Sequence, residues 1–244
     1  MKTSVIIPTY DRPAQLRRNV IRLLQSTEGL DVEVIVAAEV NPKSLPAIAD
    51  LPVKATFHPD WRGSIANWNL GASMVTGDLF VTGADDISWC DGWLQAVIAH
   101  MEMTGTCYCG LNDLMWNGWD HDPTHWAITR LGIVRYCGGC LWPPEYKTTW
   151  AEGEIAARIR RAGQYTWCKQ AMADHQHYGI GKSQVDRCYR TMTRYYWDDE
   201  NTFHRRKAAN WPDDFEPVVF LEGPPTGFIN GKPSWTISAG LLCT

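Results

Sequence analysis

The first hundred residues alternate between short apolar runs and longer segments in which apolar residues recur every three or four positions. The short runs are rich in β-branched residues, which predicts buried strands at residues 4–8, 32–37, 53–57 and 79–82. The segments between them have the period of amphipathic helices, and no hairpin turn joins consecutive strands. Right-handed crossovers follow, so the pattern predicts an α/β fold with a mainly parallel sheet flanked by helices.

The second half of the chain has a weaker pattern. It predicts strands at residues 106–110, 128–136 and 165–169, a helix from Glu152 to Gly163, and an amphipathic helix at 183–197. From Asp198 onward the chain is rich in proline, glycine and tryptophan and lacks helical periodicity. We therefore predict one domain at residues 1–197, with halves at 1–100 and 101–197, and an irregular C-terminal arm at 198–244.

Two adjacent carboxylates, Asp85 and Asp86, follow the strand at 79–82 after a glycine. Neighbouring acids repel each other and require a compensating charge when a sheet buries them. Ligands of α/β proteins collect beyond the carboxyl ends of the strands, and a divalent cation carrying a diphosphate supplies that charge. The alternative is a solvated turn, which would leave both acids in water.

Composition narrows the possible functions. The formal charge of −4 and the pI near 6.0 disfavour a protein that binds nucleic acid through bulk electrostatics. Eight cysteines are too few for a disulfide scaffold, and the spacing of Cys107-x-Cys109 and Cys137-x-x-Cys140 matches no standard zinc ribbon. No apolar run approaches the length of a membrane span and the first residues enter a strand directly, so we expect a cytoplasmic protein.

Three segments together resemble family 2 glycosyltransferases with the GT-A (Rossmann-like) fold. They are Ser4-Val5-Ile6-Ile7-Pro8-Thr9-Tyr10-Asp11-Arg12-Pro13, the stretch 63–71 that ends in Asn69-Leu70-Gly71, and Gly77-Asp78 leading to Asp85-Asp86. The order and spacing of the three are far more specific than any one of them, and the resemblance is close over residues 3–100 and looser up to 180. It implies that residues 1–100 bind a nucleotide sugar and that 101–197 bind an acceptor.

In the resembling family, the loop after the first strand and an acidic residue after the second strand hold the nucleotide. The ring of Tyr10 suits a base, Glu39 suits a base N–H or a ribose hydroxyl although an aspartate is more typical there, and arginines suit phosphate. Carried over by position, the implied nucleotide-binding residues are Pro8, Tyr10, Asp11, Arg12, Glu39, Arg62, Asn69 and Asp85. Helix capping and surface ion pairing are the alternative roles of these side chains.

The metal motif of the family is Asp-x-Asp, and this chain has Ala84 at the first position of that motif. Asp86 keeps the place of the direct metal ligand, and a histidine downstream often completes the site in similar enzymes. We expect His175 to be that histidine, and His177 is the other histidine in range. The implied cofactor is Mn²⁺ or Mg²⁺, held by carboxylate and substrate phosphates.

The general base of the family lies near the start of the helix that contains Arg158 and ends at Gly163. Matching these two positions places Glu152 there, with Glu154 as the alternative if the register shifts by two residues. An inverting transfer requires a carboxylate within hydrogen-bond reach of the acceptor hydroxyl, opposite the departing diphosphate. The structural alternative is helix capping, because acids are favoured in a first helical turn.

The resemblance implies a metal-dependent, inverting glycosyltransferase that moves a hexosyl or pentosyl group from a nucleotide diphosphate sugar to an acceptor hydroxyl. The acceptor stays open among glycans, proteins, lipid-linked precursors and modified nucleic acids, and so does the oligomeric state. A nucleotidyltransferase shares the sheet and the acidic pair but carries a glycine-rich loop that residues 8–12 lack. A catalytically degenerate sugar-binding module is the second alternative, favoured by Ala84 and Glu39.

Overall fold

The computed structural model describes residues 1–39, 42–115 and 122–214, together with the backbone of two short strands near the C-terminus. The first described range carries an N-terminal strand, a helix and a second strand, which confirms the predicted βαβ start. Within the described residues, no helix is both long enough and apolar enough to cross a membrane.

An eight-stranded mixed sheet forms the centre of the described part of the chain. Its strands are β1 (Thr3–Thr9), β2 (Val32–Glu39), β3 (Lys54–His58), β4 (Leu79–Thr82), β5 (Ile87–Trp89), β6 (Tyr108–Asn112), β7 (Trp126–Thr129) and β8 (Trp167–His175). Their order is β3-β2-β1-β4-β7-β6-β8-β5. The pairs β1–β2, β1–β4 and β2–β3 are parallel, as predicted, whereas β7 pairs antiparallel with both β4 and β6. Strands β9 (Gly227–Ile229) and β10 (Lys232–Ser234) form a separate antiparallel pair.

Helices cover both faces of this sheet. The α-helices are α1 (Pro13–Ser26), α2 (Ser64–Ala72), α3 (Trp93–Thr104), α4 (Arg130–Tyr136), α5 (Ala151–Arg161), α6 (Arg187–Met192) and α7 (Tyr196–Ala208). Single 3₁₀ turns lie at Pro42–Ser44, Pro46–Ile48, Tyr178–Ile180 and Thr193–Tyr195. Successive residues of β1 point to opposite faces, so Val5 and Ile7 join one apolar cluster and Ile6 joins the other.

Two predicted elements differ from the structure. The strand predicted at 128–136 ends at Thr129, and its remainder is helix α4, because the Thr129 side chain accepts a hydrogen bond from the backbone N–H of Gly132 at 3.1 Å and caps a helix there. The helix predicted at 183–197 is interrupted, since α6 begins only after its cap Asp186, and a 3₁₀ turn separates it from α7.

Helix α7 extends into the segment for which we predicted an irregular arm. Asp198 and Asp199 lie in its first turn, and three basic residues, Arg205, Arg206 and Lys207, lie in its last turn. This arrangement of charges complements the helix dipole and stabilises a helix that has little apolar periodicity. The domain boundary at 197 stays a prediction, and residues 215–226 and 235–244 of the arm lie outside the described residues.

Candidate active site at the carboxyl edge of the sheet

A cleft of about 170 Å³ lies where β1, β2 and β4 end. Parallel strands bring their carboxyl ends to one edge, so the residues that follow each strand meet there. Eight residues that we predicted from the sequence line the cleft, namely Pro8, Tyr10, Arg12, Glu39, Asp85, Asp86, Glu152 and His175. Asp11, Arg62, Asn69 and Glu154 are not among its lining residues.

The guanidinium of Arg12 lies between the two adjacent acids. Its Nη1 donates to Asp85 Oδ1 at 2.9 Å and to Asp86 Oδ2 at 3.0 Å, while its Nε donates to Asp186 at 2.6 Å. The ring of Tyr189 covers the guanidinium at 4.2 Å. The donors of Arg12 hold three carboxylates, so Arg12 positions the acidic pair. The contact with substrate phosphate that we expected of Arg12 stays a prediction.

Asp85 is buried and further held by the first strand, because Thr9 Oγ1 donates to its Oδ2 at 2.7 Å. The Asn19 amide of α1 donates to the backbone carbonyl of Asp85 and fixes the turn after β4. Burial raises the pKa of Asp85 to about 6, although Arg12 acts in the opposite direction. Asp85 is therefore protonated more readily than Asp86.

Asp86 faces two different partners with its two oxygens. Its Oδ1 lies 3.3 Å from His175 Nε2, and its Oδ2 accepts from the Tyr189 hydroxyl at 2.8 Å. Burial alone would raise the pKa of Asp86, but His175 and Arg12 lower it well below its usual range. The contact exists because Ile87, directly after Asp86, pairs with His175, the last residue of β8.

The Asp86–His175 pair fits a divalent metal ion by its donor chemistry. One carboxylate oxygen and one imidazole nitrogen converge, which suits Mn²⁺, while Arg12 and Tyr189 orient the carboxylate from its other oxygen. Among the described residues, no group of three or more histidine, cysteine or acidic side chains is arranged to hold a metal. An ion at this pair would complete its coordination with oxygen atoms of water or of a substrate.

Glu39 ends β2 and is 2% exposed at the other side of the cleft. Its Oε2 accepts a hydrogen bond from the backbone N–H of Arg62 at 2.9 Å. The main chain of Arg62 therefore contacts Glu39, while the Arg62 side chain is exposed. Burial raises the pKa of the Glu39 carboxyl.

Asp11 and Asn69, for which nucleotide binding stays a prediction, have structural contacts. Asp11 has a positive φ of 56° in the loop after β1 and lies 3.3 Å from the exposed Arg187. The Asn69 amide exchanges two hydrogen bonds with the backbone of Trp142, at 2.8 and 3.0 Å. Asn69 therefore fixes a residue of the cleft without lining the cleft itself.

The two glutamates at the start of α5 have different surroundings. Glu152 is partly buried and lines the cleft, and burial raises its pKa to about 7. Glu154 is fully buried elsewhere, where its carboxylate accepts from Arg158, Arg206 and the Tyr146 hydroxyl at 2.8–3.0 Å. The geometry thus opposes Glu154 as a base, because its lone pairs are used by buried cations away from the cleft.

The loop before α5 is held rigidly, and this fixes the position of Glu152. The buried carboxylate of Asp199 accepts from the backbone N–H groups of residues 147, 148 and 149 at 2.8–2.9 Å. Trp150, two residues before Glu152, has a φ of 68°, which is unusual for a bulky side chain. Such strain persists where surrounding contacts impose it, and it is common at functional sites.

Several lining residues were not predicted from the sequence. They are Thr9, Trp61, Ser64, Trp68, His125, Thr148, Thr149 and Tyr189 among others. The high tryptophan content was the available signal, since aromatic rings suit sugars and bases. Tyr189 gave no signal, because its place on the apolar side of the amphipathic helix predicted at 183–197 indicates packing.

The raised pKa of Glu152 predicts that the difference in stability between the wild type and a Glu152→Gln variant depends on pH. A folded-state pKa of about 7 against an ordinary 4.5 means that the folded protein loses stability as the pH rises through this window. Glu152→Gln removes the titration, so we expect the variant to be more stable than the wild type at pH 8, by at most about 3 kcal/mol. Urea unfolding at pH 8 and pH 5 measures this, and an advantage of equal size at both pH values would contradict it.

Comparison with known protein families gives a match over most of the chain. Residues 4–190 match the family described as glycosyl transferase family 2. No curated protein sequence is significantly similar to the chain.

Solved structures show the same fold. The mannosyltransferase PcManGT from Pyrobaculum calidifontis, in complex with GDP-Man and Mn²⁺, has a TM-score of 0.65 at 15% identity over 88% of this chain and 65% of that chain. A structure of S. aureus TarS 1–349 has a TM-score of 0.53 at 14% identity, over 65% of this chain and 55% of that chain. The chain thus spans less than two thirds of the length of both proteins, and the likeness establishes the GT-A fold. Because the family match covers most of its 244 residues, the chain belongs to glycosyl transferase family 2.

Proposed function

We propose that the chain transfers a hexosyl or pentosyl group from a nucleotide diphosphate sugar to an acceptor hydroxyl, with inversion at the anomeric carbon. The observation that carries this proposal is the presence of two chemically different groups in one cleft. The Asp86–His175 pair suits a metal-bound diphosphate, and Glu152, with a pKa of about 7, suits a general base.

The nucleoside belongs to the part of the cleft formed by the ends of β1 and β2. Tyr10 offers an aromatic ring there, and the buried carboxylate of Glu39 accepts hydrogen bonds from a base N–H or from ribose hydroxyls. Asp85, beside Thr9, is the third polar contact that we assign to the nucleotide.

Mn²⁺ or Mg²⁺ is the proposed cofactor, with Asp86 and His175 as the residues that would hold it. A bound divalent ion supplies positive charge to the departing diphosphate oxygens. The neighbour PcManGT, whose structure contains GDP-Man and Mn²⁺, supports a nucleotide sugar and a divalent metal as the ligands.

In the transfer step, the Glu152 carboxylate takes the proton of the acceptor hydroxyl as the acceptor oxygen bonds to the anomeric carbon. The bond between that carbon and the diphosphate oxygen breaks at the same time, and its electron pair leaves with the nucleoside diphosphate. The products are the glycosylated acceptor, the diphosphate and protonated Glu152. A pKa of about 7 keeps a useful fraction of Glu152 ionised at neutral pH and makes it a stronger base than an ordinary glutamate.

Activity of the Asp86→Asn variant tests this assignment. We expect wild-type protein with Mn²⁺ to release nucleoside diphosphate from at least one of a set of UDP and GDP sugars. The variant should be at least about 100-fold slower, since a catalytic ion is worth several kcal/mol. Asp91→Asn is the matched control, because Asp91 is exposed and pairs with Arg22 at the surface.

Several outcomes would count against the proposal. Equal rates for Asp86→Asn and Asp91→Asn contradict the metal assignment, and retention of the anomeric configuration in the product contradicts inversion. Glycan binding without turnover of any nucleotide sugar favours a degenerate binding module.

A further inference from the structure

Four buried side-chain polar atoms of the cleft have no hydrogen-bond partner among the residues that the structure describes. They are Nε2 of His125, Nε1 of Trp142, Oγ1 of Thr149 and Nδ1 of His175. Folding a buried polar group without a partner is unfavourable, so groups of this kind are normally satisfied by water or a ligand. Their concentration in one cleft indicates a ligand that presents several hydrogen-bonding groups.

His125 offers an acceptor at this place. It is 2% exposed, and its Nδ1 lies 3.1 Å from the backbone carbonyl oxygen of Thr82. A carbonyl can only accept, so Nδ1 carries the proton and Nε2 of the neutral ring has a free lone pair. The partner that Nε2 requires is a donor such as a hydroxyl group.

Trp142 offers a donor beside it. The indole is 1% exposed, and its ring packs at 5.1 Å from that of Trp68, which in turn lies 6.3 Å from the His125 ring. Its backbone is fixed by the two hydrogen bonds to Asn69. A rigid N–H group of this kind is a specific donor to a hydroxyl oxygen, because little conformational freedom is lost when it binds.

The location of these groups identifies the part of the substrate that they meet. The His125 ring lies 5.0 Å from that of His175, whose Nε2 faces Asp86. If Asp86 marks the diphosphate, the group next to it is the sugar bonded to that diphosphate. We propose that His125 and Trp142 recognise hydroxyl groups of the donor sugar; this inference rests on the proposed function and names the substrate group that the site selects.

The charges around the cleft restrict that sugar further. Glu39, Asp85, Asp86 and Glu152 all line it. Among the described lining residues, Arg12 is the one lysine or arginine, and its guanidinium holds Asp85, Asp86 and Asp186. The proposed metal ion is taken by the diphosphate, and a sugar carboxylate would otherwise meet acids with no unpaired lysine or arginine among the described lining residues. The subsite therefore takes a neutral sugar and disfavours a uronic acid.

Two tryptophan variants provide a matched test. Trp142 and Trp126 are both buried, their rings pack at 4.9 Å, and both indole nitrogens lack a partner among the described residues, but Trp126 does not line the cleft. Calorimetric titrations with Mn²⁺ would compare UDP-glucose, UDP-N-acetylglucosamine and GDP-mannose with UDP and GDP. We expect Trp142→Phe to weaken binding of the sugar nucleotide by about tenfold while the diphosphate binds as before. Trp126→Phe should change neither affinity.

The remaining outcomes are equally decisive. The inference is overturned if Trp142→Phe weakens diphosphate and sugar nucleotide equally, if it changes neither, or if UDP-glucuronate binds as tightly as UDP-glucose. His125→Phe should act in the same direction and replaces Trp142→Phe if that variant does not fold. If neither UDP nor GDP binds the wild type, the proposed function fails together with this inference. If UDP or GDP binds but Trp142→Phe affects diphosphate and sugar nucleotide alike, the inference alone is overturned.

Discussion

Glu152→Gln is expected to lower the turnover number by about 10²- to 10⁴-fold, the usual contribution of a general base. Glutamine keeps the size of the side chain and its contacts at the start of α5, but it cannot take the proton of an acceptor hydroxyl. Because the carboxylate lines the cleft without forming part of the Asp86–His175 pair, affinity for the nucleoside diphosphate should stay unchanged.

The pH dependence of the wild type provides the second part of this test. The ionised form of Glu152 is the active one, so the rate should rise about tenfold per pH unit below pH 7 and level off above it. Steady-state kinetics from pH 5 to pH 9 would show this. A Glu152→Gln variant within threefold of the wild type would exclude Glu152 as the base.

Glu154→Gln is expected to act on stability, with a loss of about 1–3 kcal/mol in the free energy of unfolding. The wild-type carboxylate accepts from Arg158 Nε at 2.9 Å and from Arg206 Nε at 2.8 Å, and Arg206 is fully buried. A neutral amide removes one negative charge from the partners of both guanidinium groups and places its NH₂ group among donors. Arg158 keeps Asp213, and Arg206 keeps Glu145 and Asp214. Helix α7, which carries Arg206, should therefore detach from α5 more easily.

Urea unfolding monitored by tryptophan fluorescence measures this loss. Glu102→Gln is the control, because Glu102 is an exposed residue of α3 and its replacement should change stability by less than about 0.5 kcal/mol. Equal unfolding midpoints for the two variants would show that the buried charge cluster contributes little.

Much of the sheet and the acidic pair could be predicted from the sequence because their signals are local. The short, β-branched apolar runs of β1, β2 and β4 favour buried strands, and the βαβ connections leave few topologies. The carboxyl ends of parallel strands then place Tyr10, Glu39 and Asp86 at one edge, and all three line the cleft.

The roles of Arg12 and Asn69 could not be predicted in this way. Arg12 pairs with acids 73, 74 and 174 positions away, and Asn69 bonds to a backbone 73 positions away. Such partners depend on how the chain folds back over the strand ends, and no local pattern encodes that. An arginine in a loop therefore predicts phosphate binding as readily as it predicts carboxylate pairing.

Anomalous diffraction at the manganese edge, from crystals grown with Mn²⁺ and GDP or UDP, tests the central claim most directly. We expect one strong anomalous peak between Asp86 and His175, with the diphosphate beside it and the nucleoside toward Tyr10 and Glu39. A nucleotide bound away from this cleft, or manganese bound with no contact to Asp86, would contradict the account.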